Sequence, residues 1–204
     1  MPWSYTNQVL PISSQILWNE VVQLQQSNGS GSKGPLAQNL LPFELPYVVK
    51  IYNATYPCGS DTQEVFTFRH LPYPDQPYTQ ELSSNAQCPL KCHKTLSFTV
   101  QEPFCEIHGF AGYFTAELYQ DVFYSIEPSA HTPGMHSWFP MYFPVKTPFT
   151  AHKGQKITIS IWRNCSETAV WYEWAMAVEG EAGEGLIFQT FIHNSKGRGY
   201  SIGK

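Results

Sequence analysis

The chain has 204 residues, 42% hydrophobic and 15% aromatic, enough for one domain with a real core and too apolar for a disordered tail. Only 14% are charged and the net charge is −4, which gives no basic field to hold a phosphate backbone and disfavours direct nucleic-acid binding. No apolar run approaches the roughly 20 residues that span a bilayer, and Met1 to Leu10 is too polar for a signal peptide, so an intracellular, non-membrane protein is expected.

Taken in order, residues 1–12 read as irregular. Ser13 and Ser14 then precede a stretch from Gln15 to Gln26 in which Leu17, Val21 and Leu24 recur at helical spacing, so a serine-capped helix is expected with those three on one face. Residues 27–34 (SNGSGSKG) form a Gly/Ser loop. From Leu45 the pattern turns to strands: 47–52 (YVVKIY) and 64–69 (EVFTFR), with turn residues Pro57 to Asp61 between them. Residues 71–92 are a long connection rich in Pro, Ser and Asn.

Leu96, Phe98 and Val100 alternate with Ser97 and Thr99, the period of a half-buried strand. Cys105 to Leu118 reads as strand, kink and strand, because Gly109 and Gly112 sit among aromatics and glycine within a strand marks a bulge or a close approach. Asp121 to Glu127 is the next strand and 128–138 a loop. Ile157, Ile159 and Ile161 alternate with Thr158 and Ser160, and Ala169 to Val178 follows as an aromatic strand. After an acidic turn at 180–185, residues 186–193 and 199–202 read as a closing hairpin. The fold class expected is all-β, a barrel or barrel-like sandwich of about nine to ten strands with one short N-terminal helix. Residues 1–44 are expected as an N-terminal segment of helix and flexible loop, and 45–204 as the β-barrel domain. No βαβ alternation is present, which excludes a Rossmann core.

Few residues point to chemistry. The five Cys, at 58, 88, 92, 105 and 165, are odd in number and scattered, so reduced thiols are expected rather than a disulfide framework. Cys88, Cys92 and His93 invite a zinc reading, but no second ligand pair lies downstream, and His131 with His136 has no accompanying carboxylates; no metal site is expected. The glutamates of 180–185 would repel phosphate. Gly197-Arg198-Gly199 is the kind of Gly-flanked arginine that methyltransferases modify, and a charged turn is the simpler account. No nucleophile sits in a recognisable elbow. The most pointed segment is 129–144, where Pro133-Gly134 leads to Trp138 and Phe139. From composition alone Trp138 reads as a core residue; the other reading is an indole face for a planar cation.

Several segments in order shift that balance. They are 11–14 (PISS) with 18–21 (WNEV), 45–49 (LPYVV), 108–114 (HGFAGYF), 118–121 (LYQD), 133–135 (PGM), 137–140 (SWFP), 170–175 (VWYEWA), and Gly197-Arg198 with 200–203 (YSIG). From about Pro11 to the last residue the chain resembles the C-terminal β-barrel domain of the type II protein arginine N-methyltransferases. The resemblance implies an enzyme that uses S-adenosylmethionine to make monomethyl and symmetric dimethylarginine, working in cytoplasm and nucleus. It implies that the cofactor site and the catalytic glutamates lie in an upstream catalytic domain, so that this chain alone holds no cofactor, no catalytic residue and no activity. It carries substrate contact to Ser137 and Trp138, with the indole on the arginine guanidinium; Phe139 and His136 adjoin them as secondary candidates. Partners implied are arginine-containing proteins, the upstream domain and, through about Leu17 to Leu40, a second copy of the protein. Residues 27–41 and 179–185 look longer than the resemblance implies. The competing readings are a free-standing aromatic-rich module for peptides or glycans, and a purely structural dimerisation domain with Trp138 in its core; exposure of Trp138 separates the last from the first.

Overall fold

A computed structural model describes residues 3–27, 42–70, 91–119, 122–135, 137–166, 169–181 and 184–198. Ten strands are found there: β1 (Trp3–Ile12), β2 (Tyr47–Val48), β3 (Gln63–His70), β4 (Cys92–Thr99), β5 (Phe104–Tyr119), β6 (Val122–Ser125), β7 (Met141–His152), β8 (Lys156–Cys165), β9 (Val170–Glu179) and β10 (Leu186–Gln189). One helix, α1 (Gln15–Ser27), and short 3-10 turns at Pro42–Glu44 and Pro128–Ala130 complete the elements. All strand pairs are antiparallel. One sheet runs β2-β7-β5-β1-β3, with β6 on the far end of β5; the other runs β10-β9-β8-β4. The expected all-β class is found as two antiparallel sheets, and no strand pairing closes them into one barrel among the described residues.

The clean alternations behave as their period requires. In β8, Ile157, Ile159 and Ile161 are buried while Thr158 and Ser160 face outward, and in β4 Leu96 and Phe98 are buried. These side chains meet Phe110, Phe143, Val145 and Trp174 in one core between the sheets. Phe110 and Phe143, paired across β5 and β7, stack at 4.6 Å. Phe143 then meets Trp174 of the other sheet edge-on at 5.4 Å. The Trp174 indole N–H, wholly buried, donates to Pro144 O at 3.0 Å, so a polar atom in the core is satisfied across the sheets.

Three expectations are corrected. Of the stretch 1–12 expected to be irregular, residues 3–12 form β1, which pairs with both β3 and β5, in the same sheet as strands from beyond residue 45. The strand at 47–52 shrinks to β2, Tyr47–Val48, against β7. The strand-kink-strand of 105–118 is one strand, β5, whose register shifts between Ile107 and Gly109. The hairpin half at 199–202 lies outside the described residues.

Helix α1 begins where its cap predicts. Ser14 Oγ accepts the Leu17 N–H at 3.4 Å, and Leu17 and Val21 are buried, but Leu24 emerges exposed in the last turns. The Trp18 indole N–H donates to Val145 O at 2.9 Å, and Gln15 Oε1 lies 3.0 Å from Nε2 of the buried His108, which ties the helix start to β5 and β7.

His193, after β10, is fully buried and stacks on Trp174 at 5.2 Å with an interplanar angle of 5°. Its Nε2 accepts the Lys146 N–H at 3.1 Å, which places the ring proton on Nδ1, where it is donated to Trp174 O at 3.2 Å. Burial above all pushes its pKa down to about 4. The unfolded chain therefore takes up a proton that the folded chain refuses, so stability is full above about pH 6.5 and is lost as pH falls towards 4. The expected result is a urea midpoint that declines between pH 6.5 and 4.5, with a shallower decline in His193→Gln; equal slopes would remove His193 as the cause.

Candidate functional site

The segment 128–140 runs from the 3-10 turn at Pro128–Ala130 to the start of β7. Glu127, just before it, accepts from the hydroxyls of Thr62 and Ser129, and Thr132 N–H returns to Ser125 O at 2.9 Å, so the loop base is closed by hydrogen bonds. The Pro133-Gly134 turn is found as expected, with Gly134 at φ +74° and nothing near its α-carbon that would exclude a side chain. The loop exit is held from the other side: the Val49 N–H donates to Pro140 O at 3.0 Å, and the Lys50 ammonium lies 5.1 Å above the Phe139 ring.

Trp138 lies between these anchors. Its side chain is 58% exposed, so the reading of Trp138 as a core residue fails. Its φ is +74°, a left-handed backbone that bulky L-residues rarely adopt. The indole meets Phe114 of β5 edge-on at 5.6 Å and Tyr124 of β6 at 6.3 Å. Ser137 and Phe139, its neighbours in the chain, are also exposed. Ser137, Trp138 and Phe139 are thus three consecutive exposed residues of the loop, Trp138 set against Phe114 and Tyr124 and Phe139 beneath Lys50; His136 lies outside the described residues. Reading the sequence missed Lys50, Phe114 and Tyr124 as their supports. Phe114 stood in the 108–114 segment already singled out, whereas Lys50 and Tyr124 required the β2–β7 and β5–β6 pairings to be known.

Behind the loop, between the sheets, is a cavity of about 50 Å³. Phe139 and Phe114 line it with Tyr5, Asn7, Ile161 and Tyr172. Asn7 Oδ1 on its wall is buried and has no hydrogen-bond partner among the described residues. Desolvation pushes the Tyr5 hydroxyl up to about 12, so it stays protonated and neutral at physiological pH.

The other candidates come apart. His93 is stacked on Trp162 at 4.4 Å, Cys92 is half-buried in β4, and Cys88 lies outside the described residues. Among the described residues no three His, Cys, Asp or Glu side chains come together as a metal site would need, and Cys58, Cys105 and Cys165 are free thiols. Arg198 is held by Asn194, whose amide bonds its N–H and carbonyl at 2.8 and 2.7 Å, and its Nε faces Glu44 at 3.8 Å.

Residues 4–202 match the family model described as the PRMT5 oligomerisation domain. The chain belongs to that family. It is 38% identical to protein arginine N-methyltransferase 5 of Xenopus laevis over 203 residues, 100% of this chain and 27% of that protein. It is 35% identical to the enzyme of the same name from Oryza sativa subsp. indica, over 100% of this chain and 26% of the relative. Identity to protein arginine N-methyltransferase skb1 of Schizosaccharomyces pombe is 30%, over 98% of this chain and 30% of the relative. The oligomerisation domain thus spans about a quarter of the length of these curated relatives. Two solved structures share its fold. One is the Arabidopsis thaliana protein arginine methyltransferase 10, with TM-score 0.59 and 12% identity, covering 94% of this chain and 60% of that one. The other is the Trypanosoma brucei PRMT1 enzyme-prozyme complex with AdoHcy, with TM-score 0.55 and 14% identity, covering 93% and 56%.

Proposed function

We propose that this chain is the substrate-presenting and self-associating domain of a protein arginine methyltransferase that forms monomethyl and symmetric dimethylarginine. The observation that carries the reading is the exposed indole of Trp138, fixed on its loop in a domain whose relatives are named for arginine methylation. An indole face attracts a planar cation through the ring quadrupole while leaving the guanidinium N–H groups at its edge available to carboxylates elsewhere. Methyl transfer requires one guanidinium nitrogen to be aligned with the donor methyl, which is a problem of positioning. Ser137 contacts the substrate backbone in this reading, and Phe139 and His136 border the channel.

The methyl donor, S-adenosylmethionine, would supply the transferred methyl group. A nucleotide-type cofactor sits where a strand passes through a glycine-rich turn into a helix. Helix α1 is instead entered through Ile12 and Ser13 and capped by Ser14, so these residues do not fit it, and the donor is assigned to the upstream catalytic domain. In the same reading the two sheets complete a barrel against that domain, residues 1–44 carry the contact with a second copy, and arginine-containing proteins are the substrates. Its cytoplasmic and nuclear placement is supported by the free thiols of Cys58, Cys105 and Cys165.

The test is calorimetric titration of S-adenosylmethionine and of an Arg-Gly-rich peptide into this chain, and into this chain joined to its catalytic domain. Cofactor heat is expected only for the joined protein, with peptide binding markedly tighter there. Stoichiometric cofactor binding by this chain alone would overturn the division of labour.

A further inference from the structure

A tryptophan held in the left-handed region is strained, and such strain persists only where the surroundings over-determine it. The surroundings of Trp138 do so with rings. Phe114 and Tyr124 are perpendicular to each other, 5.7 Å apart at 86°, and each contacts the indole. They come from strands in direct register, Ala116 lying opposite Tyr124, so their spacing is fixed by the β5–β6 ladder and not by the loop. Phe114 is braced in turn by Tyr5 of β1 at 4.9 Å, Tyr5 by Phe68 of β3 at 6.2 Å, and Phe68 by the Arg163 guanidinium of β8 at 5.1 Å. This row of contacts runs from the loop across one sheet to the other.

The three rings touch one another, so they enclose no space for a ligand. Phe114 and Tyr124 both contact the indole, and more than half of it stays exposed. We propose that Phe114 and Tyr124 are positioning residues for the substrate arginine, forming a pedestal that fixes the Trp138 indole before substrate arrives. The proposal rests on the reading of Trp138 as the arginine-stacking residue. A free indole on a loop would have to be ordered during binding, whereas a supported one is already ordered. Orientation at a methyl-transfer site is sensitive to small displacements, so loss of the support should be felt in turnover without any contact to substrate being removed.

The chain is labelled with 5-fluorotryptophan, and Trp138→Phe identifies the Trp138 fluorine line. Tyr124→Leu and Tyr124→Ala are expected to broaden that line and move it towards the position of the free amino acid, while Tyr124→Phe, which keeps the ring, leaves it in place. Tyr124 is half-buried, and the leucine variant keeps apolar volume should the alanine variant fold poorly. A line that does not move in either variant overturns the pedestal. In the protein joined to its catalytic domain, Tyr124→Leu is expected to lower kcat/KM for an arginine peptide about tenfold, with KM for the methyl donor unchanged and Tyr124→Phe near wild type. Unchanged kinetics in Tyr124→Leu beside loss of activity in Trp138→Ala overturns the positioning role and leaves the role of Trp138 standing. Unchanged kinetics in both overturns the substrate reading itself, and this proposal with it.

Discussion

Trp138→Ala, made in the protein joined to its catalytic domain, is expected to lower kcat/KM for an arginine peptide by at least about 100-fold while the fold survives. A factor of 100 is about 2.7 kcal/mol of transition-state stabilisation. That is within reach of a desolvated cation on an indole, roughly 2 kcal/mol, combined with the lost alignment of the reacting nitrogen. The structural side of the argument is that Trp138 contributes little to the core. More than half of it is exposed, and its ring contacts are with two aromatic side chains that also pack on each other. Truncation therefore leaves no internal cavity of the kind that makes large-to-small changes costly. Trp138→Gly offers a control in the other direction: it removes the same ring but relieves the left-handed φ, so it should be at least as stable as the alanine variant and equally inactive. Initial rates together with thermal melts decide the matter. Near-normal turnover by a well-folded variant would exclude Trp138 from substrate contact, and a collapsed melting temperature would return it to a structural role.

The strands that could be read in advance are those with one buried and one open face. β4 and β8 alternate because their outer residues are Ser, Thr and Lys, and the inner ones meet the core. β1 hides its period: Thr6, Asn7 and Gln8 succeed one another in mid-strand, and all three are only half-buried. Asn7 reaches the Tyr5 hydroxyl and Gln8 reaches Thr115, so both faces there are polar and alternation vanishes. β7 hides for another reason. It carries Pro144 and Pro148, which usually count against a strand. They are tolerated because, among the described residues, β2 pairs with the second edge of β7 only at Met141 and Tyr142, and no ladder partner there requires an N–H from Pro144 or Pro148. At the site, Pro133-Gly134 declared its turn, but nothing in the residue type of Trp138 announces a positive φ. Its role entered through the ordered resemblance of whole segments. Phe114 and Tyr124 could not be assigned as its supports from sequence at all, because that requires the registers of β5 with β6.

Gly109→Ala is the second large expectation, and it acts on the fold. Gly109 has φ +149°, and a methyl group there would stand 2.2 Å from Phe143 O and 2.9 Å from the Tyr142 ring. The first neighbour is backbone in the paired strand β7, so it cannot swing aside as a side chain end would. The register shift between Ile107 and Gly109 occurs at this point, and the Tyr142 hydroxyl donates to His108 O at 2.7 Å there. Burial raises the Tyr142 pKa, so that donor stays protonated. Any retreat of β7 from the new methyl would separate Phe143 from Phe110 within the sheet and loosen the Trp174 indole from Pro144 O, a bond that ties the two sheets at this level. Backbone strain and overpacking each cost about 1 to 3 kcal/mol, so a combined loss of about 4 kcal/mol is expected, a large fraction of the stability of one domain. Gly112→Ala provides the comparison on the same strand: its φ is not left-handed, and the added methyl would meet the Phe143 ring at 3.0 Å, an end that can shift by tenths of an ångström. Urea melts of the two variants should therefore separate, with Gly109→Ala mostly unfolded or aggregated and Gly112→Ala cooperative with a modestly lower midpoint. Equal midpoints would mean that the bulge can relax, and that the close approach of β5 to β7 is not what this glycine secures.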